Sequence, residues 1–321
     1  MSRIRVGTCS WTDKTMIEAW YPKGTSTPES RLRYYAERYD TVEADSPFYA
    51  IPRPSVAQHW ADRTPEGFVV HVKAFGLLTR HSVAGRQLPP ELRDLVGDVD
   101  ERGRISKPSP ELLDAVFDNF TAFVEPLRAA DKLGGILMQF APYITATDHA
   151  AAMDHLNFLE YAADKLAGMR MLVEFRHPSW VTGKQAAETM KFLSDRGYSY
   201  VSVDAPQFKD KSTMPPIAAA TSDWSYVRLH GRNVENYFAS NVTAADRFDY
   251  LYNEAELAEW TPLIRELASQ SDVTWVMFNN CKYDYAPRNA REMLAVLGDQ
   301  ATPYGDGAPA RVSGDQLGLE V

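Results

Sequence analysis

Cysteine is scarce in this sequence: Cys9 and Cys281 are the two cysteines among 321 residues. So few cysteines provide neither a disulfide framework nor the CxxC pairs of zinc and redox motifs. The sequence also lacks any run of about 18 apolar residues, which argues against a transmembrane helix. Its first residues have no long apolar segment of the signal-peptide kind. We therefore expect a cytoplasmic protein that does not associate with membranes.

Basic residues are outnumbered by acidic ones. Lysine and arginine total 34 and aspartate and glutamate total 43, which gives a formal net charge of −9. Because a long nucleic-acid footprint requires a basic face, we do not expect extended nucleic-acid binding. The pattern GxGxxG is also missing after the first predicted strand, where Gly7-Thr8-Cys9-Ser10-Trp11 stands, so the sequence has no nucleotide-cofactor motif there. A small local basic pocket is compatible with this charge.

What the sequence does contain is a regular alternation of strand and helix patterns. Short β-branched or aromatic runs bounded by turn residues predict strands at 4–9, 41–45, 68–74, 135–140, 171–175, 200–204, 226–230 and 274–279. Helical patterns, several with proline or a capping residue at their start, occur at 28–39, 54–63, 110–132, 149–166, 184–196, 254–269 and from 287 onward. The helical signal between the sixth and seventh strands is weak, so we expect a short or irregular helix there.

This alternation favours a TIM-type (β/α)8 barrel over an open doubly wound sheet. We predict one barrel domain over residues 1–298, followed by a flexible polar tail over 299–321. The longest irregular segment, residues 78–108, follows the third strand and predicts either a mobile lid or an insertion packed on the rim. Closure of the barrel would place Cys9 and Cys281 on the same rim, where we expect ordinary free thiols.

Seven of the predicted strands carry polar residues near their C-terminal ends. Because strand side chains alternate between two faces, residues two apart, such as Glu174 and Arg176, point the same way. The set comprises Glu43, Asp45, His71, Lys73, Gln139, Glu174, Arg176, Asp204, Arg228, His230 and Asn279. Burying so many ionisable groups is costly unless they pair or take part in chemistry. Since barrel active sites lie at the C-terminal ends of the strands, the pattern predicts a polar active site at the barrel mouth.

Several short segments occur in an order typical of one protein family. They are Val6-Gly7-Thr8-Cys9-Ser10-Trp11, Tyr21-Pro22, Tyr34-Tyr35-Ala36, Tyr39-Asp40-Thr41-Val42-Glu43, Phe48-Tyr49, Thr64-Pro65-Glu66-Gly67-Phe68, Val72-Lys73-Ala74, Val173-Glu174-Phe175-Arg176-His177-Pro178-Ser179-Trp180, Tyr226-Val227-Arg228-Leu229-His230-Gly231-Arg232, Phe278-Asn279-Asn280 and Tyr285-Ala286-Pro287. With these segments the chain resembles the domain-of-unknown-function-72 family, also called YecE-like, from Ile4 to about Met293. The resemblance implies a TIM-type barrel and no particular reaction.

Three departures from the family pattern fall on the predicted active rim. Cys9-Ser10 stands where the family commonly has Ser-Gly. The segment Glu43-Ala44-Asp45-Ser46-Pro47 stands where Glu-Ile-Asn-Ser-Thr is typical, and Cys281 replaces a position that is often His or another polar residue. These departures allow a ligand that differs from that of the relatives.

Four residues are our candidates for proton transfer: Glu174, His230, Glu43 and Asp204. An arginine beside a carboxylate keeps it ionised, so Glu174 next to Arg176 would act as a base, and histidine titrates near neutral pH. The alternative is a buried ion pair that fixes the barrel interior. The same four residues could instead ligate a divalent metal. We favour the metal less, because interior arginines and a lysine compete for the carboxylates and no HxH or HExxH spacing occurs.

The predicted substrate-binding residues are basic, amide and aromatic. Arginine binds phosphate or carboxylate through a bidentate fork, and barrel phosphate sites often form after strands seven and eight. The set consists of Arg176, Arg228, Arg232 and Lys73 for an anion, Asn279 and Asn280 for a hydroxyl or carbonyl, and Trp11, Tyr49 and Trp180 for stacking on a sugar or base. Each has an alternative: Arg228 could neutralise Glu174 or Asp204, Lys73 could form a Schiff base, and the aromatic residues could be packing.

Together these features predict an enzyme that acts on a small anionic metabolite, bearing phosphate or carboxylate, through acid/base groups at the barrel mouth. One alternative is a metal-dependent isomerase or hydrolase. Another is a non-catalytic module that binds a ligand or a nucleic-acid end. We prefer the enzyme, because convergent acid, base and amide groups at the catalytic end of a barrel are costly for binding alone.

Overall fold

The computed structural model describes residues 3–210 and 213–301. Parallel strands form a closed barrel in which each strand pairs with the next along the chain and the last pairs with the first. They are Arg3–Thr8 (β1), Thr41–Ala44 (β2), Val69–Lys73 (β3), Leu133–Gln139 (β4), Met171–Glu174 (β5), Ser199–Asp204 (β6), Trp224–Leu229 (β7) and Val273–Phe278 (β8). The eight strands predicted from the sequence are all present, and the TIM-type barrel is confirmed.

Helices cover the outside of this barrel. They are Lys14–Ala19 (α1), Pro28–Ala36 (α2), Pro54–Arg63 (α3), Pro110–Ala129 (α4), His149–Lys165 (α5), Gln185–Asp195 (α6), Ala244–Arg247 (α7), Glu254–Gln270 (α8) and Tyr285–Leu297 (α9). The short helices α1 and α7 were not predicted. Between β6 and β7 the described residues contain no helix, which agrees with the weak signal there. None of the helices within the described ranges is long and apolar enough for a transmembrane segment.

An aromatic layer closes the barrel below the polar residues. The His71 ring packs edge-on against Trp275 at 4.4 Å and against Tyr226 at 5.0 Å. Its Nδ1 accepts a hydrogen bond from Gly135 N at 3.0 Å. Burial, with a contribution from Arg5, lowers the pKa of His71 to about 3, so this ring is neutral. His71 therefore belongs to the packed interior, although it points to the same face of β3 as Lys73, which lies at the mouth.

The segment after β3 packs on the barrel rim. Residues Val83–Ala84 pair in antiparallel fashion with Arg104–Ile105. The side chains of Leu78, Leu88 and Ile105 are at most 1% exposed. Because apolar side chains hold residues 78–108 against the barrel, the structure favours the packed insertion over the mobile lid.

The predicted C-terminal tail lies almost entirely outside the described residues. Within them, the 3₁₀ turn Gly298–Gln300 follows α9, and Ala301 forms a parallel β-bridge with Ile4. Residues 302–321 fall beyond the described range, so the prediction of a flexible tail stays a prediction.

Candidate active site

An ion-pair network centred on Arg228 of β7 fills the bottom of the mouth. Arg228 Nη2 donates to Glu43 Oε1 at 2.6 Å, and Arg228 Nη1 donates to Glu174 Oε2 at 2.6 Å. Tyr226 Oη donates to Glu43 Oε2 at 2.8 Å. All three charged side chains are 0% exposed. One guanidinium thus neutralises two carboxylates. Arg228 therefore has the neutralising role that was the alternative to anion binding in the sequence analysis.

His230 extends this network upward from Glu174. Its Nε2 lies 3.0 Å from Glu174 Oε1, which also accepts from Gln139 Nε2 at 2.8 Å. Its Nδ1 lies 2.7 Å from Asn279 Nδ2. Burial lowers the pKa of His230 to about 4 although Glu174 opposes the shift, so the ring is neutral at pH 7. With Asn279 donating to Nδ1, the ring proton is on Nε2 and is donated to Glu174.

The two buried glutamates differ in protonation. Burial raises the pKa of Glu43 to about 7. The neighbouring Asp45 adds to this rise, and Arg228 offsets only part of it. Burial also raises the pKa of Glu174, but Arg228, His230 and Arg176 outweigh it and hold the pKa well below its usual range. Glu174 is therefore a fixed anion, whereas Glu43 exchanges a proton near neutral pH.

A basic side of the mouth surrounds Lys73 at the end of β3. Lys73 is 8% exposed, and its Nζ lies 4.4 Å from the centre of the Phe48 ring. Within residues 3–210 and 213–301, no carboxylate lies within 4.0 Å of this ammonium. Arg176 Nη1 lies 3.3 Å from Glu174 Oε1, and Arg176 Nη2 donates to Tyr237 Oη at 2.8 Å. Lys73 is thus a buried cation without a paired anion.

His81 also belongs to the basic side. Its ring packs edge-on against Phe48 at 5.0 Å. Burial, Lys73 and Arg176 together lower the pKa of His81 to about 4. Because His81 and Lys73 both contact the Phe48 ring, these three side chains lie around one space at the mouth.

An acidic side of the mouth lies around Asp45. Its Oδ1 is buried, has no hydrogen-bond partner among the described residues, and is 3.7 Å from Arg228 Nη2. Asp45 also raises the pKa of Glu43, and burial together with Asp45 raises the pKa of Asp13 to about 6. The carboxyl groups of Glu43, Asp45 and Asp13 together form this acidic side of the mouth.

Asp204 lies outside the barrel wall, contrary to the prediction. It is in register with Leu229, one position beyond the inward-facing Arg228. Its carboxylate accepts from Trp260 Nε1 of α8 at 2.9 Å and from Arg232 Nε at 3.0 Å. Serine stands on both faces of β6, at Ser199 and Ser202, so the direction of the strand could not be assigned from polarity. Asp204 holds α8 on the barrel and lies away from the mouth.

Arg232 and Asn280 also belong to this outer layer. Arg232 Nη2 donates to Glu259 Oε2 at 2.8 Å in addition to its pair with Asp204. Asn280 Nδ2 donates to Asn289 Oδ1 at 2.8 Å and to the Tyr250 carbonyl at 2.9 Å. Their polar groups tie the rim loops to α8 and α9, so the structure does not bring them to the mouth.

The predicted stacking residues separate into two groups. Trp180 is 0% exposed and stacks on Phe175 at 4.6 Å behind β5. Trp11 is 5% exposed and packs edge-on against Trp60 of α3 at 5.2 Å. Tyr49, in contrast, is 55% exposed on the rim. Trp11 and Trp180 are packing residues, which was the alternative interpretation of their role in the sequence analysis. Tyr49 alone of the three is open to a ligand.

The four-residue metal site is not assembled. Asp204 faces α8, while Glu43 and Glu174 are bound by Arg228 and His230 donates to Glu174. Within the described ranges, no three side chains of histidine, cysteine, aspartate or glutamate form a cluster suited to a metal ion. The proposed ligand set therefore does not fit a metal.

Cys9 and Cys281 line one small cleft together with Ser10 and Asp13, so they share a rim as predicted. Both are free thiols. Burial and Glu43 raise the pKa of Cys9, and burial, Asp13 and Asp45 raise that of Cys281. Because the thiolate is the reactive form, neither cysteine is activated in this environment.

Sequence reasoning missed His81, Tyr237 and Asp13. Each comes from a loop after a barrel strand, where no periodicity assigns a direction. Their position after strands three, seven and one was the one usable signal, because such loops line the mouth of a barrel.

Comparisons with known proteins agree with this fold. The family model described as "Protein of unknown function DUF72" matches residues 5–312. The UPF0759 protein YunF of Bacillus subtilis is 28% identical over 297 residues, which cover 92% of this chain and 94% of YunF.

Two solved structures of DUF72 family proteins are similar over nearly the whole chain. One, from Thermotoga maritima, has a TM-score of 0.71 and 26% identity, covering 92% of this chain and 99% of that one. The other, from Enterococcus faecalis, has a TM-score of 0.72 and 23% identity, covering 92% and 95%. The resemblance found in the sequence is thereby confirmed, and this chain belongs to the DUF72 family, whose function is not established.

Proposed function

We propose that this protein is an enzyme that acts on a small anionic metabolite at the barrel mouth. Lys73 and Arg176 hold the anionic group, and the carboxyl pair of Glu43 and Asp45 transfers a proton. The proposal rests on Lys73, whose side chain is largely buried at the mouth and whose ammonium has no carboxylate partner among the described residues.

A cation without a carboxylate partner at the mouth of the barrel is available to a counter-ion. The Phe48 ring beside Lys73 contributes about 0.5–2 kcal/mol through a cation–π contact but does not neutralise the charge. A bound anion supplies the missing charge. Arg228 and Arg232 are already saturated by carboxylates, so the anion-binding role lies with Lys73 and with Arg176.

The proton chemistry follows from the carboxyl pair. A group with a pKa near the working pH can both donate and accept a proton, and the pKa of Glu43 is about 7. Glu43 itself is 0% exposed, whereas the side chain of Asp45 is 24% exposed. Asp45 is therefore the member of the pair that touches the substrate, and Glu43 stores the proton behind it.

A thermal-shift screen tests the anion site. Wild type, Lys73→Met and Lys282→Met are heated with inorganic phosphate and with phosphorylated and carboxylated metabolites, each with and without divalent cations. Lys282 is the matched control, because it lies beyond β8 and its ammonium is paired with Asp246 and Asp249. We expect stabilisation of wild type and Lys282→Met by one class of anion without metal, and none for Lys73→Met.

The unliganded variants provide a check on folding. Because Lys73 forms no ion pair within the described residues, Lys73→Met breaks none, and its melting temperature should equal or exceed that of wild type. Anion stabilisation that survives in Lys73→Met would contradict the proposal, and so would stabilisation that requires a divalent cation. Once a ligand is known, Glu43→Gln should abolish turnover while the variant still folds and binds. Binding without any turnover in wild type would support the non-catalytic module.

A further inference from the structure

We propose that the bound anion is polyhydroxylated, a sugar acid or sugar phosphate, whose hydroxyls donate to a ring of acceptor oxygens beside Lys73 and whose ring lies against Tyr49. This inference rests on the function proposed above, because Lys73 and Arg176 hold the anionic group. It adds the chemistry of the rest of the molecule.

Three acceptor oxygens at the mouth lack a donor. Gln139 donates its amide hydrogen to Glu174 Oε1 at 2.8 Å, and Asn279 Nδ2 donates to His230 Nδ1 at 2.7 Å. These contacts fix both amides with their nitrogens in the network, so the oxygens point elsewhere. Among residues 3–210 and 213–301, neither amide oxygen accepts a hydrogen bond, and the same is true of Asp45 Oδ1.

One of these oxygens, Asp45 Oδ1, is buried, and a buried polar group without a partner costs about 1–3 kcal/mol. The amide oxygens belong to Gln139 and Asn279, which are 8% and 4% exposed, and both can accept from a ligand that enters the mouth. The hydroxyls of a ligand bring several donors, whereas a bare carboxylate brings acceptors only.

The acceptors and Lys73 lie along one arc of the barrel wall. Asp45 follows β2, Lys73 ends β3, Gln139 ends β4 and Asn279 follows β8. The strands β8, β1, β2, β3 and β4 are consecutive neighbours in the closed barrel. One cation among several acceptors therefore fits a molecule with one anionic group and several hydroxyls.

Hydroxyls suit this arc better than an ammonium group. Two of the three acceptors, in Gln139 and Asn279, are uncharged amides. The third, in Asp45, already lies 3.7 Å from the Arg228 guanidinium. A ligand ammonium would be placed between Arg228 and Lys73, and like charges at such distances repel.

Tyr49 supplies an apolar surface at the edge of the same arc. It follows the 3₁₀ turn Ser46–Phe48, and its ring meets Phe48 edge-on at 5.2 Å while Phe48 lies under Lys73. Burial is the main cause that raises the pKa of Tyr49, and Asp45 adds to it. An aromatic face is apolar and carries partial negative charge, so it packs well on the C–H face of a sugar ring.

Calorimetric titration with matched probes tests the inference. Glucuronate and cyclohexanecarboxylate both join a carboxylate to a six-membered ring, but glucuronate alone has hydroxyls. Glucose 6-phosphate and inorganic phosphate form a second pair, which distinguishes a phosphate source from a carboxylate source. We expect one of the hydroxylated probes to bind wild type roughly tenfold more tightly than its partner. Lys73→Met should lose both members of that pair.

Two tyrosine variants test the stacking contact. Tyr49→Phe keeps the ring and should bind the hydroxylated probe like wild type, whereas Tyr49→Ala should bind it several-fold more weakly. Tyr49 is exposed, so neither change should unfold the protein. Equal affinities within both probe pairs would overturn the inference and leave the anion site standing. No binding by any of the four anions would overturn the proposed function and this inference with it.

Discussion

Replacing Arg228 with methionine should destabilise the protein strongly and in a pH-dependent way. Arg228→Met leaves Glu43 and Glu174 buried, at 0% exposure, without their shared cation. Breaking a buried ion pair from one side costs about 3–5 kcal/mol, and here two carboxylates lose their partner, so we expect the upper end of that range. Loss of the cation also raises the folded-state pKa of both glutamates. A raised folded pKa gives stability at low pH that is lost as pH rises, so the penalty should be larger at pH 8 than at pH 5.5.

Urea unfolding followed by tryptophan fluorescence measures this effect, since the chain has seven tryptophans. The matched control is Arg170→Met, which breaks the exposed pair with Asp223 and should cost about 0–1 kcal/mol at either pH. Adding Glu43→Gln and Glu174→Gln to Arg228→Met should recover much of the stability, because no charge then stays buried. A cost of Arg228→Met no greater than that of the control, or a cost that does not shrink at low pH, would show that Arg228 does not neutralise the two glutamates.

Three further predictions concern protonation and strain near the mouth. Burial and Asp45 raise the pKa of Glu43 from 4.5 to about 7, so this group stabilises the wild type below pH 4.5 and loses that contribution as pH rises to 7. Glu43→Gln should remove about 3 kcal/mol of this pH dependence in unfolding titrations, and an unchanged pH profile would contradict the shift. Ser10 has φ of 135°, so Ser10→Gly should raise the free energy of unfolding by about 1 kcal/mol; a destabilised variant would argue against strain. Cys9 and Cys281 should react with iodoacetamide at pH 8 far more slowly in the native than in the urea-unfolded protein, as followed by mass spectrometry, and equal rates would disprove their raised pKa values.

The fold could be predicted because its signals are local and repeated. Each barrel strand is a short apolar run between turn residues, and most of the longer helices have a capping residue or proline near their start, such as Ser109 before α4 and Asp148 before α5. Eight repetitions leave few topologies other than a closed barrel. The short helices α1 and α7, of 6 and 4 residues, were missed because so few turns carry no periodic pattern.

The candidate site could be predicted only in part. Strand parity correctly placed Glu43, Glu174 and Arg228 on the axis, because their strands have one polar and one apolar face. It failed for Asp204, since β6 has serine on both faces, at Ser199 and Ser202, and polarity gives no clear direction. Strand parity also could not show that Arg228 is neutralised by carboxylates whereas Lys73 is not. Neutralisation depends on contacts between residues far apart in the chain, such as Glu43 with Arg228.

Residues beyond the strand ends were hardest to assign. Trp180 lies in the 3₁₀ turn Pro178–Trp180, which carries the chain behind the wall, and the sequence alone suggested the rim. His81 reaches the mouth because the packed insertion folds back on Phe48. Such placements depend on tertiary packing, which sequence periodicity does not report.

A crystal structure of the protein grown with glucuronate and inorganic phosphate would show whether Lys73 and Arg176 bind an anion. We expect an anion at the mouth with an oxygen about 3 Å from Lys73 Nζ and a second contact to Arg176. An anion bound at Arg228 or Arg232 with their carboxylate pairs broken, or a mouth without any anion at saturating concentration, would contradict it.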